Sequence, residues 1–188
     1  MGLASLAKTK AHKVLGIDAS TNSVAFCLMD NGIPVKWGKI EFVGSDIYEK
    51  IYDAKVKVHA MLNELKADYI AVEGAVLVRS ADAVIKLSYV YGVVIAELMG
   101  TGANVMTISP TSWQSFIGNN NPTKLEKKEI RETYPGYTES WYKNQLRNMR
   151  KQRTVDWIKQ KFNIEINDFD VADSFGIAYY AQETMTKR

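Results

Sequence analysis

Four acidic positions, far apart along the chain, have the residue types and settings for divalent-metal chemistry: Asp18, Glu73, Asp170 and Asp173. Asp18 follows the apolar run Val14-Leu15-Gly16-Ile17 and precedes the small residues Ala19-Ser20-Thr21, as a carboxylate near the end of a strand does. A turn-capping aspartate would look the same. Glu73 ends the run Tyr69-Ile70-Ala71-Val72, where a carboxylate is costly unless it is paired, hydrogen-bonded or bound to metal. An ion pair with Arg79 is the plainer alternative. In Asp170-Val171-Ala172-Asp173 the spacing of three puts both carboxylates on one face of a helix's first turn, where the helix dipole alone would favour them. Each position is ambiguous by itself. Together, four carboxylates from two strands and a helix match the charge of two Mg²⁺ ions, which take oxygen ligands. Such a pair of ions suits phosphodiester hydrolysis, and no protein nucleophile is then required.

A phosphodiester substrate calls for cations. Arg147, Arg150, Lys151 and Arg153 form the centre of a basic run that extends from Lys143 to Lys161. Phosphate contacts of this kind would supply most of the affinity for DNA and make it salt-dependent. By position and charge alone, Lys151 is a candidate helper near the scissile phosphate. The upstream Lys124, Lys127 and Lys128 alternate with Glu126, Glu129 and Glu132 and suit a solvated face equally well. Trp141 and Trp157 sit at helical spacing with other apolar residues, which reads as core packing rather than base stacking.

The elements that must position these groups follow from periodicity. Val14 to Phe42 reads as three short strands, VLGIDA, SVAFCLM and PVKWGKIEF, with Asp30-Asn31-Gly32 turning between the second and third. Ile47, Ile51, Ala54, Val58, Met61, Leu62 and Leu65 recur at helical spacing, and YIAVEG follows as a buried strand. A second helix is expected over about 81–99, then the strand NVMTIS. Ser109-Pro110-Thr111 reads as the cap and first turn of a short helix. After Gly118 a polar stretch with two prolines has no apolar face long enough to join a core and reads as a loop excursion. Helical spacing returns from Trp141 to Phe162, and a last helix begins near Asp170. Three strands followed by alternating helix and strand predict an α/β fold with a mixed sheet.

The 188 residues fit one core. We expect a flexible segment over 1–13 and one domain over 14–188 with a polar insert at about 119–140. Formal charge is only +3, so attraction to DNA must come from how the cations are distributed. Cys27, the one cysteine, excludes internal disulfides and favours a reducing compartment. His12, His59 and Cys27 are too scattered for a zinc site. No apolar stretch is read as long enough to span a bilayer, and the N-terminal segment lacks the apolar region of a signal peptide. A cytoplasmic protein without membrane attachment is expected.

From Val14 to Ala181, apart from the polar stretch, the chain resembles the RuvC family of Holliday-junction resolvases. The motifs are GID near the start, the strand ending at Glu73, SADAVIKLSYVYGVV, ISPTSW and DVADSFGIAYYA, in that family's order and rough spacing. The resemblance implies an RNase H-like five-stranded mixed sheet flanked by helices. It implies metal ligation by Asp18, Glu73, Asp170 and Asp173, with two Mg²⁺ or Mn²⁺ per site. It also implies a homodimer in which the helix beginning near Ala81 packs on its twin and paired symmetrical nicks are made in four-way or other branched DNA. Bacterial members carry an aromatic residue three positions after the catalytic glutamate; here that position is Val76, with Leu77 as an apolar wedge beside it. Arg79 is a further candidate phosphate ligand. Together with the long insert, these departures suggest a divergent, phage-type member acting in a host cytoplasm.

Two alternatives belong to other classes. An actin-like or sugar-kinase ATPase also begins with an acidic strand end and small residues, but requires a duplicated domain for which 188 residues are too few. A non-catalytic junction-binding module should have lost at least one of the four acids, and none is missing.

Overall fold

The computed structural model describes residues 12–74 and 80–185. Strands β1 (Lys13–Ala19), β2 (Ser23–Asp30) and β3 (Ile33–Glu41) form an antiparallel meander. Its second turn is Asn31-Gly32, with φ of 51° and 81°, the left-handed pair that a two-residue hairpin requires. Helix α1 (Ile47–Leu65) then leads to β4 (Tyr69–Glu73), and α2 (Ala81–Gly100) to β5 (Asn104–Ile108). Both later strands run parallel to β1, giving a five-stranded mixed sheet in the order β3-β2-β1-β4-β5. Helices α3 (Pro110–Phe116), α4 (Lys124–Thr133), α5 (Glu139–Phe162) and α6 (Phe169–Met185) complete the chain.

Alternation along the strands divides the core between two sheet faces. Leu15 and Ile17 of β1, with Ile70 and Val72 of β4, pack beneath α1 and α2. Val14 and Ala71 face the other way, against Trp113 of α3 and Ile177 and Ala181 of α6. On the same face, Ala25, Cys27 and Met29 of β2 meet Phe175 of α6 and Ile158 of α5. The fold class expected from the sequence is the one observed.

Gly16 sets how closely α6 approaches the sheet. A Cβ there would stand 2.4 Å from the Ser174 carbonyl oxygen and 2.5 Å from the Ala178 nitrogen, so the helix backbone lies directly on β1. Gly176 does the same for α3, because its Cβ would meet the buried Trp113 ring at 2.5 Å.

Several expectations are corrected. The polar stretch after Gly118 holds a helix, α4, not a loop alone. It buries no residue, which is why it carries no apolar signature, and it starts with a capping box in which Thr123 and Glu126 satisfy each other's backbone N–H. Lys13, placed above in the segment 1–13, begins β1, where its N–H donates to Asp68 Oδ2 at 2.9 Å, and the His12 ring before it packs edge-on against Tyr69. Trp157 packs against the core as expected, but Trp141 stacks on the half-exposed Tyr137 at 4.1 Å. Finally, α2 is long and apolar enough to match a membrane span by length and composition, contrary to the expectation that no stretch would be. It buries Val90, Val94 and Leu98 and packs on α1.

Candidate active site

The periodicity that divides the core also delivers the acids. Asp18 lies two residues beyond Gly16, and Glu73 two beyond Ala71, so both carboxylates rise on the face covered by α6. The close approach at Gly16 then brings the start of α6 beside them. Asp168 fixes that start: its Oδ1 accepts from the Asp170 and Val171 N–H groups at 2.8 and 3.1 Å, an N-cap by geometry. Asp170 and Asp173 follow on the first turn. All four acids line one cavity of about 540 Å³.

Crowding and loss of water shape their charge. Glu73 is pushed up to about 8, first by its removal from water and then by Asp18 and Asp173. Asp173 is pushed up to about 7 and Asp18 to about 6, again by desolvation first and by neighbouring acids after it. Asp170 is different. Desolvation acts to raise it too, but Lys39 Nζ at 2.6 Å and Lys151 Nζ at 3.3 Å hold it below the usual carboxylate range. The indole N–H of buried Trp113 meets no acceptor at full hydrogen-bond geometry, yet lies near enough to Glu73 to favour its charged form.

The opposite wall is basic. Lys143, Leu146, Arg147, Arg150, Lys151 and Thr154 of α5 line the cavity, and their spacing of three and four makes them one helical face. Lys127 of α4 reaches the same cavity. Arg150 is steadied by Gln114 of α3, while the Asn119 side-chain amide donates to the Arg150 carbonyl at 2.8 Å and to Thr154 Oγ1 at 3.0 Å.

Thus Asp18, Glu73, Asp170, Asp173, Arg147, Arg150 and Lys151 come together. Arg153 does not line this cavity; it pairs with Glu126 and the Asn120 carbonyl, tying α4 to α5. Val76, Leu77 and Arg79 lie outside the described residues, and so does the proposed Glu73–Arg79 pair. Sequence reasoning missed Lys39. Its signal lies in the strand register, where Asp18 pairs with Ala25 and Ala25 with Lys39, one row across three strands with only a methyl between the two charges. Asn119 and Gln114 carried no signal beyond being polar.

Four carboxylates share one cavity, three of them both desolvated and crowded by neighbouring acids, a setting that a hard divalent cation would offset, and an all-oxygen donor set fits Mg²⁺ or Mn²⁺. Among the described residues, no three acidic, imidazole or thiol groups already stand in ion-binding geometry. Asp170 is instead drawn to the two lysines.

No family model matches the chain, and no curated protein matches it in sequence. Solved structures do match. Thermus thermophilus RuvC has a TM-score of 0.64 at 12% identity, covering 93% of this chain and 97% of that one. The same protein in complex with Holliday junction substrate gives 0.64 at 12% identity, covering 89% and 91%. The yeast mitochondrial Holliday junction resolvase gives 0.55 at 14% identity, covering 94% and 80%. At such identities the likeness is one of architecture: this chain has the RNase H-like fold of the RuvC-type Holliday-junction resolvases.

Proposed function

We propose that the chain is a divalent-metal-dependent endonuclease that resolves four-way or other branched DNA. The observation that carries this reading is the convergence of four carboxylates, distant in sequence, on one cavity whose facing wall is a helix of arginines and lysines. Asp18, Glu73, Asp170 and Asp173 would hold two Mg²⁺ or Mn²⁺ ions, whose bound chemistry is to activate water and stabilise the charge that develops on the leaving oxygen. Arg147, Arg150 and Lys151 would bind and orient the phosphodiester strand against the acids. Lys151 and Lys39 would keep Asp170 charged and fixed in place. The match in fold to two junction resolvases supports branched DNA as the substrate class.

Paired nicks require two sites related by symmetry. Along α2, Ile85, Tyr89 and Met99 are exposed at 50%, 45% and 62%; spaced by four and ten residues, they suit packing against a second copy, and we include the homodimer in the proposal.

The test is a labelled synthetic four-way junction incubated with the protein in Mg²⁺, with Asp18→Asn and Asp173→Asn alongside. Cleavage that disappears in both variants while binding persists is expected. Nucleotide turnover with intact DNA would favour an ATPase, and a gel shift without nicks a binding module.

A further inference from the structure

The acids do not close the cavity on their far side. Ser20 and Asp170 line both the active-site cavity and a second one of about 440 Å³, whose walls come from the β1–β2 turn, β3 and the start of α1. The carboxylate floor is therefore the middle of a longer trough. One end is the α5 wall already described; the other is bounded by Lys39 and Lys50, with Ser20, Asn22 and Ser23 along its side.

This second groove is built, not incidental. Ser20 Oγ accepts from the Asn22 and Ser23 N–H groups at 3.2 and 3.0 Å and lies 2.9 Å from Ser23 Oγ, which fixes the turn. Asn22 Oδ1 in turn accepts from Lys50 Nζ at 2.6 Å, holding that ammonium over the groove's rim. Lys39 projects from β3 toward Asp168 and Asp170. Apart from Asp170, Glu41 is the acid in the lining, set against two ammonium groups and two hydroxyls. The two lysines balance Glu41 and Asp170 in number, but Lys39 is engaged by Asp168 and Asp170. Lys50 forms no ion pair among the described residues and is the cation that a strand held by α5 across the acids would meet as it leaves on this side.

We propose that the strand bound across the carboxylates continues into this second groove, where Lys50 and the Ser20–Ser23 turn hold a phosphodiester flanking the one that is cut. The inference rests on the nuclease reading above. It adds a contact on the side of the scissile bond opposite α5, made by residues with no place in the basic run of α5.

Fluorescence anisotropy with a labelled four-way junction tests it, titrated over a range of salt concentrations in an Asp173→Asn background so that binding is read without cleavage. Lys50→Ala is expected to weaken binding and to lower the slope of log affinity against log salt by about one. Lys50→Arg is expected to retain the slope. Lys55→Ala, an exposed lysine on the same helix that does not line the groove, is expected to leave it unchanged. The Lys50→Ala defect should vanish on a junction whose cleaved strand is shortened to end at the scissile position on the groove side. An unaltered slope in Lys50→Ala, or an equal loss in Lys55→Ala, overturns the groove while leaving the nuclease intact. A wild-type protein that neither binds nor cuts branched DNA overturns both.

Discussion

The floor and the wall of the cavity are built in opposite ways. The floor, from β1, β4 and α6, is tightly packed: Asp18 and Glu73 directly follow the fully buried Ile17 and Val72, and α6 rests on β1 with no room for a methyl group at Gly16. The outer part of the wall, from α4 and the first turns of α5, buries almost nothing. Residues 131–140 are all exposed, and α4 is held by its capping box, by Arg153 to Glu126, and by the Tyr142 hydroxyl donating to the Tyr134 carbonyl. Groups that must meet within hydrogen-bonding distance are carried on packed backbone. Lys127 and Lys143, which in the proposed function would need only to present charge to a strand of phosphates, sit on a surface arm. Substitutions in the floor should therefore act on chemistry and global stability, and those in the arm on local order and affinity.

The largest effect expected is on catalysis. Asp173→Asn keeps the shape of the floor but removes a charge, and junction cleavage in Mg²⁺ should fall by about a thousandfold or more. Single-turnover cleavage rates check this; a loss of less than about tenfold would detach Asp173 from the chemistry.

Next comes the packing that assembles the floor. In Gly16→Ala the new methyl meets backbone atoms at 2.4 and 2.5 Å, which cannot swing aside as a side chain could. Overpacking of this kind should cost about 3 kcal/mol, or roughly 10 °C in Tm. Thermal unfolding would show it, and an unchanged Tm would mean that α6 is not seated as described.

The floor's charge gives a pH dependence of definite sign. Glu73, Asp173 and Asp18 have proton affinities raised to about 8, 7 and 6, so the folded state holds their protons more tightly than the unfolded chain does. Without metal, their contribution to stability is fully present near pH 4 and is lost as pH rises toward 8. Asp170, lowered by its lysines, works in the opposite sense, losing its contribution as pH falls below the ordinary carboxylate range. A series of Tm values in EDTA should therefore decline from pH 5 to pH 8, and Mg²⁺ should restore more at pH 8 than at pH 5. A flat series in EDTA would show that the acids are not crowded.

The smallest effect belongs to the arm. Thr123→Ala removes half of the capping box and should cost α4 about 1 kcal/mol. Amide exchange should quicken over residues 124–133 with little change in global Tm.

The same contrast explains what was legible in the sequence. Strands and buried helices announce themselves through periodicity, because one face must be apolar; hence the meander, β4, α2 and the start of α6 could be read directly. The acids stood out because each interrupts or follows such a pattern. Helix α4 has no buried face to leave a trace, and its only local mark, Thr123 three residues before Glu126, falls within a polar stretch. Lys39 is simply one of two lysines in the strand PVKWGKIEF. Only pairing register, a property of three strands at once, reveals that it shares a row with Asp18. Arg153 had the charge and spacing of its neighbours, but its direction depends on α4, which the pattern did not disclose.

Direct measurement of ion binding bears most closely on the central claim, that Asp18, Glu73, Asp170 and Asp173 jointly hold divalent cations. Mn²⁺ titrated into the protein at pH 8 and followed by its own paramagnetic resonance should show two bound ions per chain, with binding sharply weakened in Asp18→Asn and in Asp173→Asn. Equal Mn²⁺ binding by the wild type and both variants would contradict the account.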